Sequence, residues 1–363
     1  MKTIRSRIFK YIRLIGRKIY KRRVWLISDR SVWAGDNGEA FFKYLKSQNV
    51  DCVFAIKKKS RDFERISQIG ETVEYESLKY RFLLCVCECH CSSQPIHMEN
   101  HTEAPQIFLQ HGVAETDISN IINPNTHENF YVITSAQREK ESFLGPSYNI
   151  SERHVWLTGL PRFDYLENKP KKMLAIMFTW REKLLSLSKS NIYKSKYFCT
   201  LMRLLEDKEL NEFLVKEGYE ICIMLHPEMR FLRNFVAEPL RSKIFEKSYN
   251  EILSKASIVV TDYSSSIYDF IYMGKPMIYY QFDNGDYYDN SYTSKGYFDY
   301  SRDGFGPVTK EYVEFVETLK NMIQNGCVME ELYKNRVDSF LAYRDKHNCE
   351  RVYTRILEIL NKC

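Results

Sequence analysis

Residues Ile258 to Tyr280, IVVTDYSSSIYDFIYMGKPMIYY, constrain the fold more than any other stretch of this chain. An apolar β-branched run opens the stretch, and a cluster of small hydroxyl residues follows, Thr261 and Ser264 to Ser266. An amphipathic segment then carries Ile267, Phe270 and Ile271 on one side. Lys275-Pro276 stops it, and Met277 to Tyr280 forms a second apolar run. That order predicts strand, turn, helix and strand, a βαβ unit, and such a unit makes its two strands parallel. The serines fall where the helix should begin, and small hydroxyls cap helices well there. A helix start also offers free N–H groups and partial positive charge, which suit a phosphate. No Walker-type glycine loop is present, so this is not a P-loop. Plain capping is the simpler account of the serines taken alone.

The same alternation runs through the chain. In the first half it predicts strands at 24–27, 53–56, 72–75, 107–109, 131–134 and 155–157, with helices between them. Asp36-Asn37-Gly38 reads as a turn before a helix over 39–46. In the second half it predicts strands at 173–178 and 219–225 before the opening unit, a helix over 200–216, an aromatic and glycine-rich loop at 283–307, and closing helices over about 309–325 and 328–361. Polar residues 167–172, ENKPKK, read as a linker. With 363 residues and 44% hydrophobic content the chain has enough material for two cores. The expected organisation is a basic helix over 1–23, a Rossmann-type domain over 24–166, a second Rossmann-type domain over 173–330, and a C-terminal helix over 331–363.

Charge is uneven. Residues 1–24 hold ten Lys/Arg and no acid, and the remainder is close to balanced at 43 basic against 47 acidic residues. Ile4, Ile8, Tyr11, Ile12, Ile15 and Ile19 recur at helical spacing with a basic opposite face. Such a helix can lie on an anionic membrane, or pack its isoleucine stripe on the domain. Nucleic acid is the weaker alternative, because the basic character does not extend into the fold. No run of 18 apolar residues and no signal-peptide core is present, and the ten cysteines read as reduced thiols of a cytosolic protein. In 83–92, LLCVCECHCS, Cys85, Cys87, Cys89 and Cys91 alternate, with His90, His97 and His101 nearby. Alternating strand positions point in a row and do not converge on one ion, so a half-buried strand is expected here and not a zinc site.

Two histidines stand directly after predicted strands: His111 in Gln110-His111-Gly112, and His226 in His226-Pro227. Ligands of open α/β sheets bind at that strand edge, so His111 reads equally as a site residue or as a histidine satisfying its loop.

The strings WLISDR, DNGEAFFKYL, FLQHG, TGLPRFD, FTWR, LHP, TDYSSSIYDF, GKPMIYY, KGYF and GFGPV, in that order, resemble the CDP-glycerol glycerophosphotransferases that build teichoic acids and related capsule polymers. The resemblance covers about residues 24–361. It implies a GT-B-like α/β fold, two Rossmann-type domains facing a cleft. It implies transfer of glycerol phosphate from CDP-glycerol to a hydroxyl of a lipid-linked polyol phosphate or glycan acceptor, with release of CMP at the cytoplasmic face of the cell membrane. On it, His111 corresponds to the base and His226 to a second essential histidine near the phosphates. Ser264, Ser265 and Asp269 match the binders of the diphosphate. Gly112, Val113, Ala114, Glu115, Arg162, Thr179, Trp180, Met224 and Leu225 fall in the donor pocket. Arg162 and Arg181 are further phosphate partners. No cofactor is required, although Asp262 and Asp283 offer carboxylates to a divalent ion. Phe163 departs from the Asn that relatives often carry after Pro-Arg. CDP-ribitol or nucleotide-sugar transfer on the same fold is the alternative, and a membrane-associated scaffold is the non-enzyme alternative.

Overall fold

A computed structural model describes residues 11, 13–95, 104–245, 249–283, 287 and 296–361. The chain forms two compact units, one of Met1–Tyr165 with Leu341–Cys363 and one of Leu166–Phe340.

The first unit holds a seven-stranded sheet in the order β3-β2-β1-β4-β5-β6-β7. Its strands are β1 Trp25–Ser28, β2 Cys52–Ile56, β3 Thr72–Glu74, β4 His90–Ser92, β5 Gln106–Phe108, β6 Phe130–Thr134 and β7 Val155–Leu157. Every pairing is parallel. Strands such as β1 and β2 are buried throughout, as expected of a parallel sheet covered on both faces. The order reverses between β1 and β4. The second unit holds a five-stranded sheet in the order β12-β11-β10-β8-β9. Its strands are β8 Met173–Met177, β9 Glu220–Ile223, β10 Ile258–Thr261, β11 Met277–Tyr280 and β12 Val308–Thr309. All pairs are again parallel, and the reversal lies between β8 and β10. The opening βαβ unit is β10, the helix Ile267–Tyr272 and β11. Two Rossmann-type units in one α/β chain are therefore present.

Four expectations change. Residues 83–92 are not one strand. Ser77 accepts a hydrogen bond from Tyr80 N and starts a helix, Leu78–Val86, whose buried Tyr80, Leu83 and Leu84 follow helical spacing. Only His90–Ser92 is extended. Among the described residues no three His, Cys, Asp or Glu side chains gather as metal ligands, while His97 and His101 lie outside those residues. Asp36-Asn37-Gly38 is the start of the helix Asn37–Ser47, with Asp36 as its cap. The helix expected over 200–216 breaks at Asp207, which caps a second helix by accepting from Leu210 N. The final helix divides into Glu331–Phe340 and Asn348–Leu360, which belong to different units.

The last of these completes the first unit's core. Val352 and Ile356 are buried, and Tyr353 packs against Trp25 and Tyr44. Asp164 caps this helix, its Oδ1 accepting from Asn348 N at 3.0 Å and its Oδ2 from Cys349 N at 2.7 Å. Gly159 has φ +77°, and a Cβ there would stand 1.8 Å from Asn348 Oδ1.

Residues 13–19 are helical and pack on the first unit through their basic face, not through the apolar stripe of the domain-packed alternative. Arg13 donates to the carbonyls of Cys85 and Cys87, and Arg17 to that of Val86 and to the Glu88 carboxylate. Gly16 lies against Val86 and Phe82. The basic side chains thus close the C-terminal end of the Leu78–Val86 helix, where cations suit the helix dipole. Tyr11, Leu14, Ile15 and Ile19 are exposed, so the apolar stripe faces solvent and not the core. Residues 1–10 and Ile12 lie outside the described residues. Among the described residues no helix is long and apolar enough to cross a membrane.

Candidate functional site

Each unit gathers polar side chains at the carboxyl ends of its strands, around the point where strand order reverses. In open α/β sheets this is where ligands bind.

In the first unit the centre is the loop after β5. His111 is exposed at its rim, while the bulk of protein around the ring lowers its pKa below the ordinary value. Asp36 opposes that shift, and Arg30 and Arg162 add to it. The loop backbone is tied down on several sides. Asn37, fully buried, donates from Nδ2 to the carbonyls of Leu109 at 3.0 Å and Gln110 at 2.8 Å. Its Oδ1 accepts from Arg162 N at 3.0 Å. Arg162 Nη1 donates to His111 O and to Asp36 Oδ1, both at 2.7 Å. Glu139, also fully buried, accepts from Ala114 N at 2.7 Å, Gln110 Nε2 at 3.0 Å and Ser135 N at 2.6 Å. Burial pushes the Glu139 carboxyl up to about 7 against those donors. Gln110 takes the left-handed conformation, φ +53°. Asp29, at the end of β1, accepts from the N–H groups of Asp36, Gly38 and Glu39 and so closes the helix start. Burial and the Asp36 carboxylate raise its pKa. A Cβ on Gly38 would lie 2.4 Å from Ser28 O, so only glycine lets the helix start this close to β1. Val113 and Glu115 are buried, and Gly112 and Ala114 half-buried.

In the second unit Arg181 occupies the reversal point. It pairs with Asp262 Oδ2 at 2.8 Å and Asp283 Oδ2 at 2.7 Å and donates to Thr179 O at 2.6 Å. The rings of Tyr197, Tyr263, Phe282 and Tyr287 lie 5.0 to 5.8 Å from its guanidinium carbon. Arg181 is thus an internal counter-ion and not an open phosphate hand, and the two carboxylates expected to suit a divalent ion are engaged with it. Asp262 Oδ1 also accepts from Thr179 N, Thr179 Oγ1 and Tyr263 N, which fixes the segment leading to Trp180. Trp180 stacks on His226, ring centroids 5.7 Å apart and planes 14° from parallel. His226 Nδ1 accepts from Glu228 N at 3.3 Å.

The serine cluster departs from expectation. Ser266 holds the cap position of Ile267–Tyr272 without a side-chain cap bond. Instead Ser264 Oγ lies 2.7 Å from Ser266 Oγ and accepts from Ser266 N at 3.3 Å. Ser264 and Ser265 are half-buried. Asp269 is buried and accepts from Tyr249 OH at 2.8 Å, so it braces the helix from within. Leu225 belongs to the second unit's apolar core, and Met224 is half-buried with its N–H on Ile176 O.

Asp29, Asn37 and Glu139 carry no role from the sequence. Asp36-Asn37-Gly38 looked like turn chemistry, and Glu139 sits in QREKESF, whose charge suggests a solvated helix. The available signal was an Asp-Asn pair ahead of an apolar helix, which also fits an ordinary cap.

The chain is similar to known proteins along nearly its whole length. Minor teichoic acid biosynthesis protein GgaB of Bacillus subtilis (strain 168) is 33% identical, the match covering 94% of this chain and 41% of that protein. Teichoic acid poly(ribitol-phosphate) polymerase of Bacillus spizizenii is 22% identical over 93% of this chain and 56% of its own length. The chain therefore spans about half the length of these relatives. A solved structure of the wall teichoic acid polymerase TagF shares the fold, with TM-score 0.71 at 16% identity, covering 99% of this chain and 94% of that one. The family model described as CDP-Glycerol:Poly(glycerophosphate) glycerophosphotransferase matches residues 9–358, and the chain belongs to that family.

Proposed function

We propose that the chain transfers glycerol phosphate from CDP-glycerol to a hydroxyl of a teichoic acid or capsule-type acceptor and releases CMP. The observation that carries this reading is the collection of histidines and hydroxyls at the carboxyl strand ends around both reversal points, in a chain of this family. A structure of a TagF variant described with CDPG after a 15 minute soak supports the donor.

The acceptor oxygen attacks the glycerol-bearing phosphorus. The bond from that phosphorus to the CMP oxygen breaks, and CMP leaves with the electron pair. His111, neutral at pH 7 because its pKa lies below 6.5, takes the proton of the attacking hydroxyl. With Nδ1 accepting from Glu228 N, the His226 proton sits on Nε2 and is a donor for a phosphate oxygen. Ser264 and Ser265 offer hydroxyl donors beside it in the proposal, and Arg162 and Gly112 to Glu115 contribute the backbone and charge of the first unit's loop. Thr179, Trp180, Met224 and Leu225 line the donor side, Leu225 through its backbone. Asp269 holds the serine-bearing helix in place. CDP-ribitol is the second reading, favoured by the ribitol-phosphate relative.

The acceptor is read as lipid-linked and the location as the cytoplasmic face of the membrane, with an anionic surface as partner and nucleic acid excluded. Exposed Leu14, Ile15 and Ile19 beside Lys18 and Lys21 support membrane docking, since they pair an apolar stripe with cations. Sedimentation with anionic vesicles at low salt, unchanged by Ile15→Glu with Ile19→Glu, would remove that part.

CMP release from CDP-glycerol and CDP-ribitol, with a short glycerophosphate acceptor, tests the reaction. Acceptor-dependent CMP from CDP-glycerol, lost in His111→Ala and His226→Ala, is expected. Turnover of CDP-ribitol alone would change the donor, and no turnover of either would overturn the reading.

A further inference from the structure

We propose that Asn37 and Glu139 are positioning residues for the transfer, gripping the Leu109–Ala114 loop from two sides and so setting where the His111 ring stands. The inference rests on the reading of His111 as the base.

Among the described residues the His111 ring makes no hydrogen bond of its own, so its placement depends on the backbone beneath it. On one side Asn37 commits both amide hydrogens, to Leu109 O and Gln110 O, and its oxygen to Arg162 N. That last bond places Arg162, whose guanidinium holds the carbonyl of His111 itself. On the other side Glu139 holds Ala114 N and the Gln110 side chain, and Gln110 also donates to Ile133 O inside β6. His111 therefore lies between two anchored points, three residues apart on one side and adjacent on the other. The left-handed Gln110 turns the chain out of β5 at the first anchor, a conformation that a non-glycine residue holds only when its surroundings impose it. Both anchors are fully buried and belong to elements outside the loop, the Asn37–Ser47 and Gln137–Phe143 helices. A group that must meet a hydroxyl within hydrogen-bond distance tolerates little drift. Misplacement by about 1 Å can cost on the order of 100-fold in rate.

Asn37→Asp keeps the shape and the acceptor but loses the two donations, and Glu139→Gln keeps the shape but turns one acceptor into a donor. Asn125→Ala, which removes a buried side chain bonded to Ile121 O before β6, is the control for general destabilisation. Each variant of the full chain is assayed for CMP release, and the His111 ring is titrated by NMR. Both clamp variants should lower kcat about 10- to 100-fold with donor KM within about threefold, and should move the His111 titration up toward 6.5. Asn125→Ala should change neither. Folded clamp variants with wild-type kcat and an unmoved titration overturn the proposal while the function stands. If His111→Ala retains full turnover the base assignment fails, and the titration alone then judges the clamp. Should both clamp variants fail to fold, hydrogen exchange of the wild-type loop decides. Exchange as slow as in β5 supports the clamp, and exchange at the rate of an untethered loop overturns it.

Discussion

Arg181→Met separates an internal counter-ion from a phosphate ligand. Arg181 faces Asp262 and Asp283, whose side chains are 0% and 7% exposed. With charge centres about 4 Å apart and an effective dielectric of about 20, each pair is worth roughly 4 kcal/mol before desolvation. Desolvation of the three ions offsets most of that sum, but truncation removes only the cation and leaves the carboxylates in place. Asp262 would keep Thr179 N, Thr179 Oγ1 and Tyr263 N, and Asp283 would keep Tyr263 OH. The expected cost is about 3–5 kcal/mol, the range for breaking a buried ion pair. Native-state hydrogen exchange of peptides from β8 and β10 reads this directly. Protection should fall roughly 100- to several-thousand-fold at pH 7.5, with first-unit peptides unaffected. The deficit should shrink at pH 5.5. Protonating a stranded carboxylate removes the uncompensated charge, so the folded variant binds protons that the unfolded chain does not, and its stability falls as pH rises. Adding Asp283→Asn should restore part of the loss. A fall in protection under tenfold, together with a tenfold rise in donor KM, would refute the counter-ion reasoning and return Arg181 to the phosphates.

If His111 is the base, log kcat/KM should climb with unit slope on the acid side, bend below pH 6.5 and stay level through pH 7–8; a pH–rate profile bending above 7 contradicts this. The Glu139 carboxyl is raised from 4.5 to about 7, so the folded chain holds a proton that the unfolded chain has released, and stability is lost as pH rises through that window. Urea unfolding at pH 4.5 and 8 should show about 3 kcal/mol of this loss in wild type and a flatter dependence in Glu139→Gln. Asp164→Ala should cost about 1–2 kcal/mol and speed exchange in 348–360 at least tenfold while leaving second-unit peptides unchanged.

Periodicity made the sheet legible. Each strand expected at 131–134, 155–157 or 173–178 is a short apolar run between turn signals, and burial on both faces of a parallel sheet leaves that mark. The cysteine stretch misled because Cys is small, apolar and at home in helix or strand, so alternation over four positions did not exclude the Ser77-capped helix. The break at 341–347 was hidden because its cause, Asp164, is far away in sequence. The packing of the N-terminal helix through its basic face has a similar origin. Arg13 and Arg17 found backbone carbonyls at the end of another helix, and no pattern within residues 1–24 encodes that. That His111 and His226 follow strands was readable, while their roles rest on the resemblance alone. The groups around them were not, because Asn37, Glu139 and Asp262 act by satisfying backbone N–H and C=O groups distant in sequence.

The helix Asn348–Leu360 follows the second unit in the chain yet packs in the core of the first. On a ribosome, β1 to β7 emerge early, yet Trp25 and Tyr44 wait for Tyr353 until 175 residues of the second unit have been synthesised. Vectorial synthesis therefore reverses the usual order of completion: the inserted unit can close first, and the unit that began first is finished last. A nascent chain stalled before residue 348 would display the apolar seat of that helix.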